Sequence, residues 1–408
     1  MSRILPFLIV LLAVAFFTRV DLFFYLLYTL FGIYVLSRLW ARRALQAVAL
    51  ERRHDARIFS GETFPVEIRL ENRSWLPVLW MRLSDIVPSA LSSGMSFRQV
   101  VSLNPKERQT RTYELTGRRR GYYRLGPMVG LGGDLLGTSQ YEVRQEEDDF
   151  VIVYPKIVAL RDLGFPSLSP FGTLPSRMRL FEDPSRIRGV RDYVPGDSPR
   201  RMDWKTSARV GRLQVRRFEP AIALETAIFL NMDGEAYPYD CRFEAPELGV
   251  VIAASAAVHL VAKRQAVGLA CNGRDPLAGA PGSVPHLPLR KGREHLTHML
   301  DLLARVELAA GQESGSEREG EDGGPFPFLE LLNRKSLGLP WGSTVLVVTP
   351  TEEEGLIESL LLLRRRGLAV IVVLTCAYRR FDSLARRAEQ IGVQALQITN
   401  EREMDVWR

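Results

Sequence analysis

At 408 residues, with 46% apolar and 25% charged side chains, the chain is longer than one ordinary domain and too apolar to be disordered throughout. The net charge of +7 is concentrated: between Arg186 and Glu219 ten Lys or Arg face four Asp or Glu, leaving +1 elsewhere, which excludes a uniformly basic nucleic-acid coat. Cys241, Cys271 and Cys376 each stand alone, with neither CxxC spacing nor an even framework, so each reads as a small buried apolar residue in a reducing compartment.

The N-terminus, "ILPFLIVLLAVAFFTRVDLFFYLLYTLFGIYVLSRLWARRA", holds two apolar runs of about 17–19 residues once the edge polar groups snorkel. A cleaved signal peptide is the weaker reading of the first run, because no small-x-small site precedes the second. The pattern predicts a transmembrane helical hairpin over residues 1–43. Arg38, Arg42, Arg43, Arg52 and Arg53 follow the second span, while the turn between the runs offers Arg19 offset by Asp21. The positive-inside bias therefore predicts a protein of the cell membrane with two spans and cytoplasmic soluble domains.

From 44 to 160 the runs "FPVEIRLENR", "LPVLWMRLSDI", "QTRTYELTG", "YYRLGPMVGL" and "DDFVIVYP" alternate apolar and polar residues between turn signals. This predicts an all-β, sandwich-like module. Within it "TGRRRGYYRLG", Thr116 to Gly126, has two readings. It is a hairpin edge whose arginines guard against aggregation while its tyrosines pack inward, or a patch for anionic headgroups close to the membrane.

A connecting segment, 161–219, carries "DYVPGDSPRRMDWKTSARVGRLQVRRFEP". Pro195-Gly196 suits a type II turn, Ser198 can cap a helix opened by Pro199 and ended by Gly211, and "RLQVRRF" reads as a strand. On that helix Arg200, Asp203 and Ser207 share one face. Lys205 and Ser207 are two apart and point in different directions, which argues against a catalytic pair.

From 220 to 408 wholly apolar runs such as "ETAIFLNMD", "AVGLACN", "STVLVVTP" and "LAVIVVLTC" alternate with helical segments, which specifies a parallel, doubly wound α/β sheet with ligand sites at the strand ends. Residues 311–324, acidic and rich in Gly and Ser, read as a flexible loop. The sequence lacks GxxxxGK[ST] and GxSxG, and "GLGGD" has neither dinucleotide spacing nor context. His295 and His298 lie three apart on a predicted helix with no third ligand evident, and read as solvated surface residues rather than a zinc site.

Arg191, Tyr193, Pro195, Gly196, Asp197, Arg200, Met202, Asp203, Trp204, Lys205, Ser207, Ala208 and Arg209 fit R-x-Y-x-P-G-D-x-x-R-x-[IM]-D-W-K-x-S-A-R. On this run the chain resembles a bacterial membrane-protein family known as domain of unknown function fifty-eight (DUF fifty-eight). The likeness covers essentially the whole chain: membrane hairpin, β module, signature and a von Willebrand factor A-like α/β domain. Leu135-Leu136 departs from the Pro-Phe usual there. The resemblance implies a non-enzymatic scaffold or adaptor acting with a MoxR-type AAA+ ATPase in assembly or maturation of protein complexes. A transglutaminase-like membrane protein and the lipid bilayer are further partners it implies; no nucleic acid and no cofactor are expected.

The alternative is an envelope-related accessory protein whose α/β domain binds a ligand or metal. Von Willebrand A domains hold Mg²⁺ through D-x-S-x-S with a later Thr and Asp. The corresponding positions here are Asn231, Asp233 and Glu235, with Thr349-Pro350 where an aspartate is expected, so no metal is anticipated. The signature itself has two readings. In one, Asp197 and Asp203 lock the β module to the α/β module by buried ion pairs. In the other, Trp and Arg side chains form an exposed docking surface, with Arg212, Arg216 and Arg217 on a strand whose open face carries at least Arg212 and Arg216.

Overall fold

The computed structural model describes residues 4–18, 21–91, 97–134, 137, 139–145, 149–159, 182–194, 202–220, 225–277, 285–309 and 327–407. Contacts divide the chain into two compact units, Met1–Lys156 with Leu303–Arg305, and Ile157–Leu302 with Val306–Arg408.

The first unit begins with two apolar helices, α1 (Ile4–Thr18) and α2 (Asp21–Gln46). Asp21 in the first turn of α2 and Arg43 in its last each carry the sign that the helix dipole favours there. Leu22, Leu26, Phe31, Ile33, Leu36 and Leu39 are exposed along α2, whereas Tyr34, Ser37, Ala41, Ala44 and Leu45 form a buried stripe at helical spacing. Ala44 and Leu45 belong to a core cluster with Ile68, Leu70, Met81 and Leu83. The helix therefore does not stop at residue 43; its last turns are part of the β module.

That module contains β1 (Val48–Arg53), β2 (Arg57–Phe59), β3 (Thr63–Asn72), β4 (Val78–Asp85), β5 (Phe97–Leu103), β6 (Arg108–Thr116), β7 (Gly121–Leu125), β8 (Met128–Gly133), β9 (Gln140–Arg144) and β10 (Asp149–Tyr154). The sheets run β1-β3-β6, β2-β10-β7 and β5-β4-β8-β9. Alternation does the sorting: β3 turns Phe64, Val66, Ile68 and Leu70 inward and its charged residues outward. A side chain in place of Gly132 would come within 2.6 Å of Leu45, so this glycine lets α2 lie close against β8. The single apolar run "YYRLGPMVGL" is in fact two strands, broken at Gly126 by a φ of 103°. Strand β7 is an edge, and on it Tyr123 is half-buried with its hydroxyl donating to the carbonyls of Arg119 and Arg120. Tyr122 does not pack inward as expected; successive strand residues point to opposite faces, and it is exposed, stacked on Phe150 at 4.9 Å.

Arg52, counted above among the membrane-flanking cations, is buried. Its Nε donates to Asp85 Oδ2 at 3.0 Å and its Nη2 to Oδ1 at 2.5 Å, while Nη1 reaches Asp149 Oδ2 at 2.7 Å and the Leu125 carbonyl at 3.3 Å. Tyr113 donates to Asp85 Oδ2 at 2.6 Å, and burial beside that carboxylate pushes its phenol well above the usual range. Arg52 belongs to the interior because β1 alternates, placing Arg52 inward and Glu51 and Arg53 outward. The topological flank is thus Arg38, Arg42, Arg43 and Arg53, all exposed.

In the second unit β11 (Glu182–Asp192) and β12 (Gln214–Pro220) form an antiparallel pair, with α3 (Trp204–Val210) in the segment between them. The large sheet contains β13 (Glu225–Leu230), β14 (Ala266–Cys271), β15 (His286–Arg290), β16 (Thr344–Thr349), β17 (Ala369–Leu374) and β18 (Gln394–Gln397) in the order β15-β14-β13-β16-β17-β18. All neighbours are parallel except the edge pair β14 and β15. The helices are α4 (Ala245–Ala262), α5 (Arg293–Arg305, of which Leu303–Arg305 group with the first unit), α6 (Phe328–Lys335), α7 (Leu356–Arg365) and α8 (Phe381–Gln390). Helix α4 is apolar enough to cross a membrane, but 72% of its apolar window is buried in the fold. Gly249 brings it against Leu230 of β13, leaving only 3.2 Å for a Cβ. Phe328, Leu331, Leu356, Leu360 and Leu384 of α6, α7 and α8 join a separate core cluster with Phe229, Val347 and Val372. The acidic loop expected at 311–324 lies outside the described residues.

Candidate functional site

Two places gather the residues singled out by sequence. The first is the signature. Asp203, extended at φ −97° and ψ 90°, caps α3 by accepting the Thr206 N–H at 2.9 Å, and Gly211 ends the helix at φ 72°. The described helix thus starts at Trp204 and its cap is Asp203, not Ser198; a short carboxylate in extended backbone reaches the free N–H groups of the first turn. Ser207 is buried, its hydroxyl donating to the Asp203 carbonyl at 2.7 Å and accepting the Gln214 N–H at 2.8 Å. The Asp203 N–H donates to the Gln214 carbonyl and the Tyr193 N–H to the Leu213 carbonyl, both at 2.9 Å, and the Gln214 amide binds Asp192. These bonds stitch α3 onto β12. They also engage the Ser207 hydroxyl as both donor and acceptor.

Asp203 is not a deeply buried lock. Its carboxylate, 17% exposed, pairs at 3.1 Å with Arg216, 43% exposed, so the arginine assigned to an open face is the partner of the residue assigned to the lock. The Thr206 N–H, and after it Arg216, hold the Asp203 carboxyl below the usual range. Pro195, Gly196, Asp197 and Arg200 lie outside the described residues, and the side chain of Arg217 is likewise not described. Arg191 and Tyr193 are half-buried, while Trp204, 66% exposed, Val210 and Leu213 face outward together with Lys205, Arg209 and Arg212.

The second place is the end of the large sheet where the central strands β13, β14 and β16 finish. Asn231, directly after β13, is fully buried. Its Oδ1 accepts the Asp233 N–H at 3.1 Å and the Asn272 amide at 3.2 Å, which fixes the orientation of its own amide. The Asn231 Nδ2 then donates to Thr349 Oγ1 at 3.2 Å and to Glu353 Oε1. Tyr237 donates to the Asn231 carbonyl at 2.6 Å, and Asn272 accepts the Met232 N–H at 2.7 Å. Glu235 is exposed and only its N–H takes part, bound to Asp233 Oδ1 at 3.0 Å. Burial, with Asp233 nearby, pushes the Glu353 carboxyl up, against the pull of the Asn231 amide. Sequence reading does not identify Glu353, because it expects an acid at Thr349-Pro350; the signal is the acidic run "TEEEG" that follows.

A divalent cation needs oxygens aimed at one point. Here the Asn231 N–H groups point at the two oxygens, of Thr349 and Glu353, that a cation would have to share. The donor set does not fit a hard cation, and among the described residues no group of three or more His, Cys, Asp or Glu is placed to hold a metal. His295 is not a surface residue: it is buried with Nε2 at 2.9 Å from the Val267 carbonyl, while His298, about 60° further round the helix, falls at the rim of that face and is exposed.

The cysteine reading also needs correction. Cys241 and Cys376, 135 residues apart, are joined by a disulfide with Cα atoms 6.1 Å apart. They meet because one lies in the β13–α4 loop and the other just after β17, both at this same end of the sheet, where Tyr237 and Ala245 pack around them. Cys271 is in no disulfide and is buried, as expected. A disulfide removes the cysteine argument for a reducing compartment.

A family model described as "Protein of unknown function DUF58" matches residues 189–322, which include the signature helix and β12 to β15. "Uncharacterized protein YeaD" of Bacillus subtilis (strain 168) is 27% identical over 316 residues, 74% of this chain and 73% of that protein. Among solved structures, an aerotolerance-related membrane protein from Bacteroides fragilis NCTC 9343 aligns over 45% of this chain and 94% of its own, at 12% identity and TM-score 0.28. The CARDB domain of the PF1109 protein from Pyrococcus furiosus aligns over 26% and 91%, at 17% identity and TM-score 0.20. Likenesses of that size carry no argument about this chain.

Proposed function

We propose, on the premise that this chain belongs through residues 189–322 to the DUF58 family of unknown function, that it is a membrane-anchored, non-enzymatic adaptor for a MoxR-type AAA+ ATPase. The observation that supports the reading is the outward-facing Trp204 on a helix whose capping and backbone bonds are internal, with Lys205, Arg209 and Arg212 exposed nearby. Trp and Arg dominate interface hot spots, and a rigid mount lowers the entropy cost of binding. The test is capture of the purified ATPase by the full-length protein in detergent, with and without ATP. Trp204→Ala with Arg212→Glu is expected to weaken capture about 30-fold, the equivalent of a hot spot of about 2 kcal/mol, and to leave melting unchanged. No capture by the wild type would retire the adaptor reading, and equal capture by both proteins would retire the Trp204 surface.

On this reading α1 and α2 form the membrane hairpin, and the α/β unit is von Willebrand factor A-like, a label supported by a sheet order of third-second-first-fourth-fifth-sixth with one antiparallel edge. Exposed Arg38, Arg42 and Arg43 favour a cytoplasmic soluble part, and the Cys241–Cys376 disulfide favours the opposite side. Protease added to sealed right-side-out vesicles decides: protection of everything after Trp40 supports the cytoplasmic side, and digestion reverses it.

A second reading is favoured by the Asn231 cluster: an envelope-related accessory protein whose strand-end site takes a polar organic ligand in place of a cation. Mg²⁺ is then expected to leave the melting temperature unchanged, and a rise abolished by Asp233→Ala would restore the metal.

A further inference from the structure

The end of the β module that faces α2 has no room to stand clear of a bilayer. From Asp21 to Leu36 the helix rises about 24 Å, against about 30 Å of hydrocarbon in a typical bilayer. From Ser37 onward one side of α2 is already covered: Ser37, Trp40 and Ala41 line a small cleft with Pro77, Leu79 and Trp80. The Trp40 indole N–H donates to the Pro77 carbonyl at 3.1 Å. Whatever packs beside Ser37 and Trp40 therefore lies at headgroup depth.

Strand registers identify which turns those are. Val48 at the start of β1 pairs with Asn72 at the end of β3, Val78 with Leu103, and Gly133 with Gln140. The β3–β4, β5–β6 and β8–β9 turns thus share the end where α2 joins the sheet. The first of them is held firmly: Asn72 accepts the Ser74 N–H and donates to the carbonyls of Leu76 and Asn104, and the Arg73 N–H reaches the Ala47 carbonyl just beyond α2. On this fixed turn Trp75 is 76% exposed, with Leu79 also exposed. Arg73, Lys106 and Arg108 are exposed around it, and Glu71 pairs with both arginines. Arg118, Arg119 and Arg120, the headgroup candidates by sequence, are at the other end: Thr63 pairs with Thr116, and β3 from there to Asn72 covers about 30 Å of extended chain.

We propose, resting on the membrane span read for α2, that the β3–β4 turn is seated in the headgroup region of the same bilayer. The Trp75 indole occupies the interface, Leu79 continues the lipid-facing surface of Leu36 and Leu39, and Arg73 and Lys106 face anionic lipid phosphates. Indole rings concentrate at this depth because one edge is apolar and the N–H seeks water or headgroups. The soluble part is therefore clamped to the membrane surface at a second point.

The test uses the full-length protein in phosphatidylcholine vesicles with and without phosphatidylglycerol. Tryptophan emission is quenched by lipids brominated high or low on the acyl chain, or by aqueous iodide, in the wild type and in Trp75→Ala. The emission lost in the variant is expected to be the component quenched by shallow bromine and shielded from iodide. Quenching of that component by iodide, with none from bromolipid, overturns the seating; equal quenching without phosphatidylglycerol overturns the part given to Arg73 and Lys106. Should the alanine variant fail to fold, Trp75→Phe supplies the same difference. Alkaline carbonate extraction keeps the two claims apart, since release into the wash defeats the span, whereas retention with a water-exposed Trp75 defeats only the seating.

Discussion

Asp85→Asn should be among the most damaging single substitutions in the β module, although it changes one oxygen to nitrogen. Asp85 is fully buried and takes two bonds from the Arg52 guanidinium and one from Tyr113. The amide can accept at only one atom and presents N–H toward N–H. Arg52, with a side chain 1% exposed, is left with Asp149 and the Leu125 carbonyl. Stranding one partner of a buried pair costs about 3–5 kcal/mol, and for a unit of this size that is about 6–20 °C in melting temperature. The assay is thermal unfolding of the full-length protein in detergent, followed by near-ultraviolet dichroism, with urea midpoints as a check on the slope. Replacing both residues by apolar ones, Arg52→Met with Asp85→Leu, should recover part of the loss, because Asp149 is 21% exposed and can hydrate. An Asp85→Asn protein that melts with the wild type, or a double variant worse than the sum of its singles, would refute the network as the module's internal brace.

The remaining predictions concern the α/β unit. Glu353, whose carboxyl is pushed up by burial, holds its proton more tightly folded than unfolded. Stability from this group is fully present below the ordinary carboxylate range and is lost as pH rises through the raised value. Melting followed from about pH 4 to about pH 8 should lose that downward slope in Glu353→Gln, and an unchanged slope would place its origin elsewhere. Reduction of Cys241–Cys376, or Cys241→Ser, should lower stability by up to about 5 kcal/mol on the loop-entropy account; a wild type indifferent to dithiothreitol would mean that the bond contributes nothing.

Legibility followed periodicity. The strong alternation of β3, β4, β6 and β10 and the wholly apolar strands β13, β14, β16 and β17 are visible in the sequence, because burial on one face or both writes itself into residue type. Strands β1, β2, β5 and β9 are short or mixed and take their form from neighbours, as does β15, "HLPLR", an edge whose residues alternate between exposed and half-buried. Helix α6 is eight residues long, too short for its period to stand out. At the sites, single residues decided the outcome. Asp203 was recognisable as important but its partner was not, since Arg216 is 13 positions away on a strand. Arg52 belonged to a row of arginines whose other members are exposed, and only strand parity separates it from Arg53. Cys241 and Cys376 are brought together by the topology of a parallel sheet, which spacing in the chain does not encode.

A helix that ends inside a folded core acts as a lever. Because Ala44 and Leu45 belong to the β module's interior and Gly132 leaves no slack beside them, α2 cannot pivot freely at its C-terminal end. A bilayer that thickens or thins forces a spanning helix to change its tilt; here that rotation would have to carry the β module with it. On the membrane reading proposed for α2, lipid composition would then set the attitude of the β module.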